Sequence, residues 1–148
     1  FADNRPALIA QYPQFETEIT AWETRWMEMF DGYVDSTPEL MDRLAAKNVP
    51  MYALSNMSSE TWPWHQAAFP KLDMFIDVVV SGDVKLVKPD PAIYQLTLER
   101  MGGPQPSDVI FIDDSAKNID AASALGFETH LFDGAAGLEA KLINVGLL

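Results

Sequence analysis

A parallel sheet flanked by helices, an α/β fold, is expected of this 148-residue chain on three observations. From Thr37 onward, helical and extended patterns alternate strictly. The extended stretches are short and continuously apolar, as strands covered on both faces are. Three of them end in polar residues of unusual kind, and open parallel sheets bind their ligands beyond the carboxyl ends of their strands.

Each element has its own signal. Residues 5–30 carry Leu8, Ile9, Tyr12, Phe15, Ile19, Trp22, Trp26 and Phe30 at spacings of three and four, with Pro13 as a break. This helical appendage stands outside the alternation. Thr37-Pro38-Glu39 starts the next helix, with Thr37 as cap and Pro38 in the first helical position. Residues 50–54 form an apolar strand ending at Ser55-Asn56, and residues 58–68 a helix interrupted by Pro63. Residues 75–81 form the second strand. Asp90-Pro91 opens a helix that Gly102-Gly103-Pro104 stops. Residues 109–112 are the third strand, 116–125 a helix, 129–132 the fourth strand and 138–145 a last helix. Residues 1–35 and 36–148 are the expected domains.

Bulk properties exclude whole classes. A formal charge of −12 and a pI near 4.3 argue against nucleic acid or an anionic membrane as partner, because both need clustered Lys and Arg. With no cysteine, disulfides, zinc thiolates and thiol catalysis are ruled out. No apolar run reaches the length of a membrane span and no signal peptide is visible, so a cytoplasmic location is expected. The chain begins with Phe1 rather than Met, so it is processed, truncated, or numbered from a later residue.

The strand ends carry the chemistry. Ser55-Asn56 closes the first strand; Ser81-Gly82-Asp83 closes the second, with Lys88-Pro89-Asp90-Pro91 just after; Asp113-Asp114-Ser115 closes the third. Two adjacent carboxylates at a strand tip are costly unless a cation sits beside them, and Mg2+ accepts such hard oxygens while sharing them with a substrate phosphate. The set suits phosphoryl transfer, in which positioning and charge stabilisation dominate. The Ser55 hydroxyl and N–H groups near Asn56 can bind phosphate oxygens, Lys88 offers a point charge, and Asp114 with Asp113 can hold the metal. Each part alone has a plain structural reading, as helix caps or a turn. Their joint order, each at a strand end, is what points to a site. His65 and His130 lack ligand-spaced partners and read as structural. Trp22, Trp26, Trp62 and Trp64 read as packing of cap helices in preference to a substrate pocket, for which Trp62 and Trp64, following the Ser55-Asn56 strand end, are the better candidates.

On these residues the chain resembles the haloacid dehalogenase-like (HAD) hydrolase superfamily. YALSN at 52–56 resembles the second family motif, SGDVKLVKPDPAIY at 81–94 the third, and VIFIDDSAKNIDAASALG at 109–126 the fourth. The resemblance implies a Rossmann-like core with a mobile cap, of which residues 1–35 resemble the later part. It implies that Ser55 and Asn56 bind the phosphoryl group, that Lys88 stabilises the nucleophile and the transferring group, and that Asp114 ligates magnesium with Asp113 flanking it. Asn118 falls where many relatives place a further acid acting through water. The substrate implied is a small molecule, a phosphate ester.

One departure stands out. The family nucleophile is an aspartate in an Asp-x-Asp motif on a first, central strand, where it forms a phospho-enzyme and its partner serves as acid and base. No such motif precedes Ser55: Asp31 and Asp35 are four apart and follow a charged helical segment. The expectation is a core lacking its first strand, inactive by itself, with unpaired edges that an N-terminal segment or a neighbouring chain completes. The leading reading is a magnesium-dependent phosphatase. A 2-haloacid dehalogenase of the same fold is its rival, though such relatives tend to replace the first acid of the pair. A receiver-type phosphoacceptor would place its acids before the hydroxyl and lysine, the reverse of the order here. A non-catalytic remnant is the remaining reading.

Overall fold

The computed structural model describes residues 4–148. Contacts divide the chain into two compact units, one ending at Gly32 and the other running from Tyr33 to Leu148.

The first unit holds α1 (Arg5–Gln11) and α2 (Glu16–Thr24). Between them Tyr12 leaves helical backbone at φ −134° and Pro13 opens a 3-10 turn, so the proline breaks the helix as expected. A second 3-10 turn covers Trp26–Met29. An Arg5–Glu23 ion pair joins α1 to α2, and Trp26 lies edge-on to Trp22 at 4.9 Å. None of these helices and turns buries a residue fully.

The second unit alternates helix and strand. Its elements are α3 (Thr37–Ala46), β1 (Tyr52–Ser55), α4 (Trp62–Ala68), β2 (Asp77–Val80) and the single turn α5 (Ser81–Val84). They continue as α6 (Pro91–Arg100), β3 (Ile110–Asp113), α7 (Ala116–Ala124), β4 (Glu128–Leu131) and α8 (Ala135–Asn144). Thr37 is not the cap of α3 but its first residue. Ser36 precedes it in the left-handed region at φ 62°, and the Thr37 hydroxyl is buried without a partner. Pro63 is the second residue of α4 rather than an interruption of it, in the first turn where its missing N–H costs nothing. Asp90 caps α6, accepting from the Ala92 N–H at 2.9 Å.

The fold is α/β with parallel strands. Among the described residues the strands form two separate pairs. β1 lies parallel to β2, with Tyr52 opposite Asp77, and β3 lies parallel to β4, with Ile110 opposite Glu128. No pairing joins β1 to β3. Two apolar clusters flank these strands. One gathers Val79, Ile93, Tyr94, Ala122 and Phe127, with Tyr94, Phe111 and Phe127 edge-on at 5.3 to 6.2 Å. The other gathers Leu40, Leu44, Leu138 and Leu142 from α3 and α8. No helix among the described residues is long and apolar enough to cross a membrane.

Candidate active site at the strand ends

Lys88 sits at the mouth between the two strand pairs. Its ammonium donates to the backbone carbonyl of Leu54, next to last in β1, at 2.7 Å and to Asp113 Oδ2, last in β3, at 2.8 Å. The pair is well shielded, with side chains 10% and 5% exposed. The Phe111 ring lies 5.7 Å from the ammonium and screens it further.

Asn56 fixes the loop that carries this lysine. Its side-chain amide donates to the Lys88 carbonyl at 2.9 Å and accepts from the Lys88 N–H at 2.8 Å. The end of β1 and the Lys88 loop are thereby clamped, with Ser55 held between Leu54 and Asn56. Beyond β2, Gly82 lies so close to the loop that follows β1 that a Cβ there would stand 2.4 Å from the Ser59 nitrogen. The Ser81 hydroxyl and the Gly82 N–H both donate to the Met57 carbonyl in that same loop.

Asp113 is the hub. Its Oδ1 accepts from the Ser115 N–H and the Asn118 side-chain amide, each at 2.9 Å. Burial pushes its carboxyl up, but the hydrogen bonds from Lys88, Asn118 and Ser115, together with the lysine charge, outweigh that and hold it below the ordinary carboxylate value. Asp113 is therefore committed to Lys88, while neighbouring Asp114 is exposed at the same strand end.

Two further groups belong to this hub. Asn118, 6% exposed in the first turn of α7, leaves its Oδ1 buried with no partner. Tyr94, fully buried on α6, donates its hydroxyl to the Asn118 carbonyl at 3.1 Å. Burial and the nearby Asp113 charge push its phenol up to about 12, so it stays a donor. Tyr94 escaped the sequence reading because it shares its helix face with Ile93 and Thr97 and reads as core.

The structure thus joins Lys88, Asn56 and Asp113 directly, with Ser55 and Asp114 adjacent in the chain. Asp31 and Asp35 lie on no strand. His65 is buried on α4, stacked on Phe69 at 6.2 Å, and burial holds its imidazole below its ordinary value. His130 lies on β4, its Nε2 buried without a partner. Trp62 is half-buried and Trp64 exposed at the start of α4. Among the described residues no three His, Cys, Asp or Glu side chains cluster to hold a metal. The exposed Asp114 carboxylate and the orphaned Asn118 oxygen are hard donors that fit part of a magnesium shell and would need further oxygens to complete it.

Comparison with known proteins matches residues 7–126 to the haloacid dehalogenase-like hydrolase family model. The chain is similar to (S)-2-haloacid dehalogenase 4A of Burkholderia cepacia, 35% identical over 101 residues, covering 66% of this chain and 42% of that protein. It is similar also to a phosphorylated carbohydrates phosphatase of Thermotoga maritima, 43% identical over 79 residues, covering 49% of this chain and 36% of that protein. Among solved structures it resembles a HAD family enzyme of Bacteroides thetaiotaomicron, a mutant in complex with magnesium and inorganic phosphate. That likeness has a TM-score of 0.57 and 29% identity and covers 67% of this chain and 54% of that one. The chain spans about half or less of the length of these relatives.

Proposed function

This chain belongs to the haloacid dehalogenase-like hydrolases, and from that premise we propose that it acts as part of a magnesium-dependent phosphatase of small phosphorylated metabolites. The observation that carries the reading is the division of labour in the acid pair. Asp113 is buried and neutralised by Lys88, and Asp114 is left exposed beside it. Two acids that both served structure would both be engaged; here one stays available at the rim.

The residues take separate tasks. Asn56 holds the Lys88 backbone, so the ammonium keeps its place between Leu54 and Asp113. Two donors of that ammonium are used, and the third remains for an anionic oxygen. Ser55 and the N–H groups after it bind the phosphoryl oxygens. Asp114, with the Asn118 oxygen, would hold magnesium, which when bound neutralises phosphate charge. The aspartate that becomes phosphorylated lies upstream of these 148 residues, and a water then releases phosphate from it.

The test is phosphate release from a panel of sugar phosphates and other monoesters by the polypeptide that includes the upstream residues. Release should require magnesium and fall by about 100-fold or more in Asp114→Ala. Activity that survives that substitution and chelation rejects the reading. The second reading is a 2-haloacid dehalogenase, favoured by the Burkholderia relative. Chloride release from 2-chloropropionate in the presence of chelator, without phosphate release, would establish it instead.

A further inference from the structure

We infer that Asp77 and Arg100 together close the outer edge of β2 to a second copy of this chain, which would otherwise add its own β2 there. This closure is independent of the reaction at the strand ends.

The segment itself creates the need. Residues 75–80 read FIDVVV, apolar side chains around a single charge, with no proline or glycine among them. Such a segment has high strand propensity and pairs readily with identical copies of itself. β2 bonds to β1 along one edge, and among the described residues no strand lies against the other. An open edge of this composition is a template for a further strand. Ile76, 64% exposed just ahead of β2, extends it with an apolar side chain at the surface.

Two side chains occupy that edge. The Val78 N–H donates to Asp77 Oδ1 at 2.8 Å, and the Val78 carbonyl accepts from Arg100 Nη1 at 3.4 Å. Asp77 Oδ2 lies 3.5 Å from the same guanidinium nitrogen, so the two side chains close a ring over both backbone groups of one residue. A strand arriving from outside must break that ring first, because it needs the same N–H and C=O. Arg100 is the last residue of α6, where its charge also suits the helix end, and from there it reaches across to β2.

Magnitude decides what the ring does. Its side chains are 42% and 38% exposed, and an ion pair that open contributes about 0–1 kcal/mol to folding. Its effect on folding is therefore small, while its effect on pairing is direct. Net charge is a second, nonspecific barrier, since copies that each carry −12 repel. The two barriers can be separated. Removing the Arg100 side chain opens the edge and also makes the chain more acidic. Repulsion alone then gives weaker self-association, and the open edge gives stronger.

The experiment compares Arg100→Ala with the parent protein by sedimentation at moderate salt, with hydrogen exchange on each species. Arg100→Ala should keep the parent's Tm and helix content, self-associate about tenfold or more tightly, and slow exchange at residues 77–80 in the associated species. Adding Ile76→Lys should restore the parent's state, because paired copies then bring like charges together. Adding Ile143→Lys instead, on α8 and 54% exposed, should not. Association no tighter than the parent's overturns the inference, as do reversal by both lysines alike and protection confined to other residues. If Arg100→Ala does not fold, Asp77→Ala, which uncovers the Val78 N–H, is judged by the same measurements with the same two lysines.

Discussion

Lys88 and Asp113 are both almost fully shielded, so each depends on the other. Lys88→Met leaves a buried carboxylate uncompensated and should cost about 3–5 kcal/mol in urea unfolding, far more than an exposed pair is worth. Replacing both, as Lys88→Met with Asp113→Leu, should recover most of that loss while leaving the site inert. The pH dependence has two parts. His65 is held below its ordinary value by burial, so the unfolded chain binds its proton first, and stability falls as pH drops below about 6.5. Asp113 is held below the ordinary carboxylate value. Its contribution is fully present above the unfolded value near pH 4 and is lost as pH falls through the lower native value. Urea midpoints measured from pH 7 to pH 2 should show both declines, and His65→Gln should remove the upper one. A flat profile through pH 6 would refute the role of His65. Asp113, Asp114 and Lys88 stood out in the sequence because charged residues beside apolar strands are conspicuous. That the two adjacent acids face different surroundings was not legible, since the strand alternation that buries one depends on what covers each face.

Loops between elements place these residues. The Asn56 amide makes two bonds to the Lys88 backbone. Asn56→Ala should therefore lower stability by about 1–2 kcal/mol and weaken phosphate binding in the longer polypeptide, although it removes no charge. Unchanged affinity for inorganic phosphate in calorimetry would count against the clamp. Gly82 has an ordinary backbone angle and is required for space, since a Cβ would meet the Ser59 nitrogen at 2.4 Å and the Met57 carbonyl oxygen at 3.0 Å. Backbone atoms cannot swing aside as side chains can. Gly82→Ala should shift the loop after Asn56 and cost about 1–3 kcal/mol, visible as a lower Tm. An unchanged Tm would mean that the loop yields freely. Helix starts were readable where a side chain caps them, as Asp90 does, and misread at Thr37, where a left-handed Ser36 begins the helix one residue earlier.

At the level of the whole molecule, four strands and their helices enclose a groove that local pattern could not reveal. The 148-residue chain alone should show no phosphate release with magnesium, checked on the same monoester panel as the longer polypeptide; turnover by it would mean that a nucleophile lies within these residues. The sequence by itself determined the alternation, the parallel strand type and the residues at the strand ends. All three follow from periodicity and composition within short windows. Tertiary structure decided which acid meets Lys88, that Tyr94 braces Asn118, and that β1 and β3 stand unjoined across an apolar groove. Those outcomes rest on contacts between residues some 20 to 60 positions apart, which no local window contains.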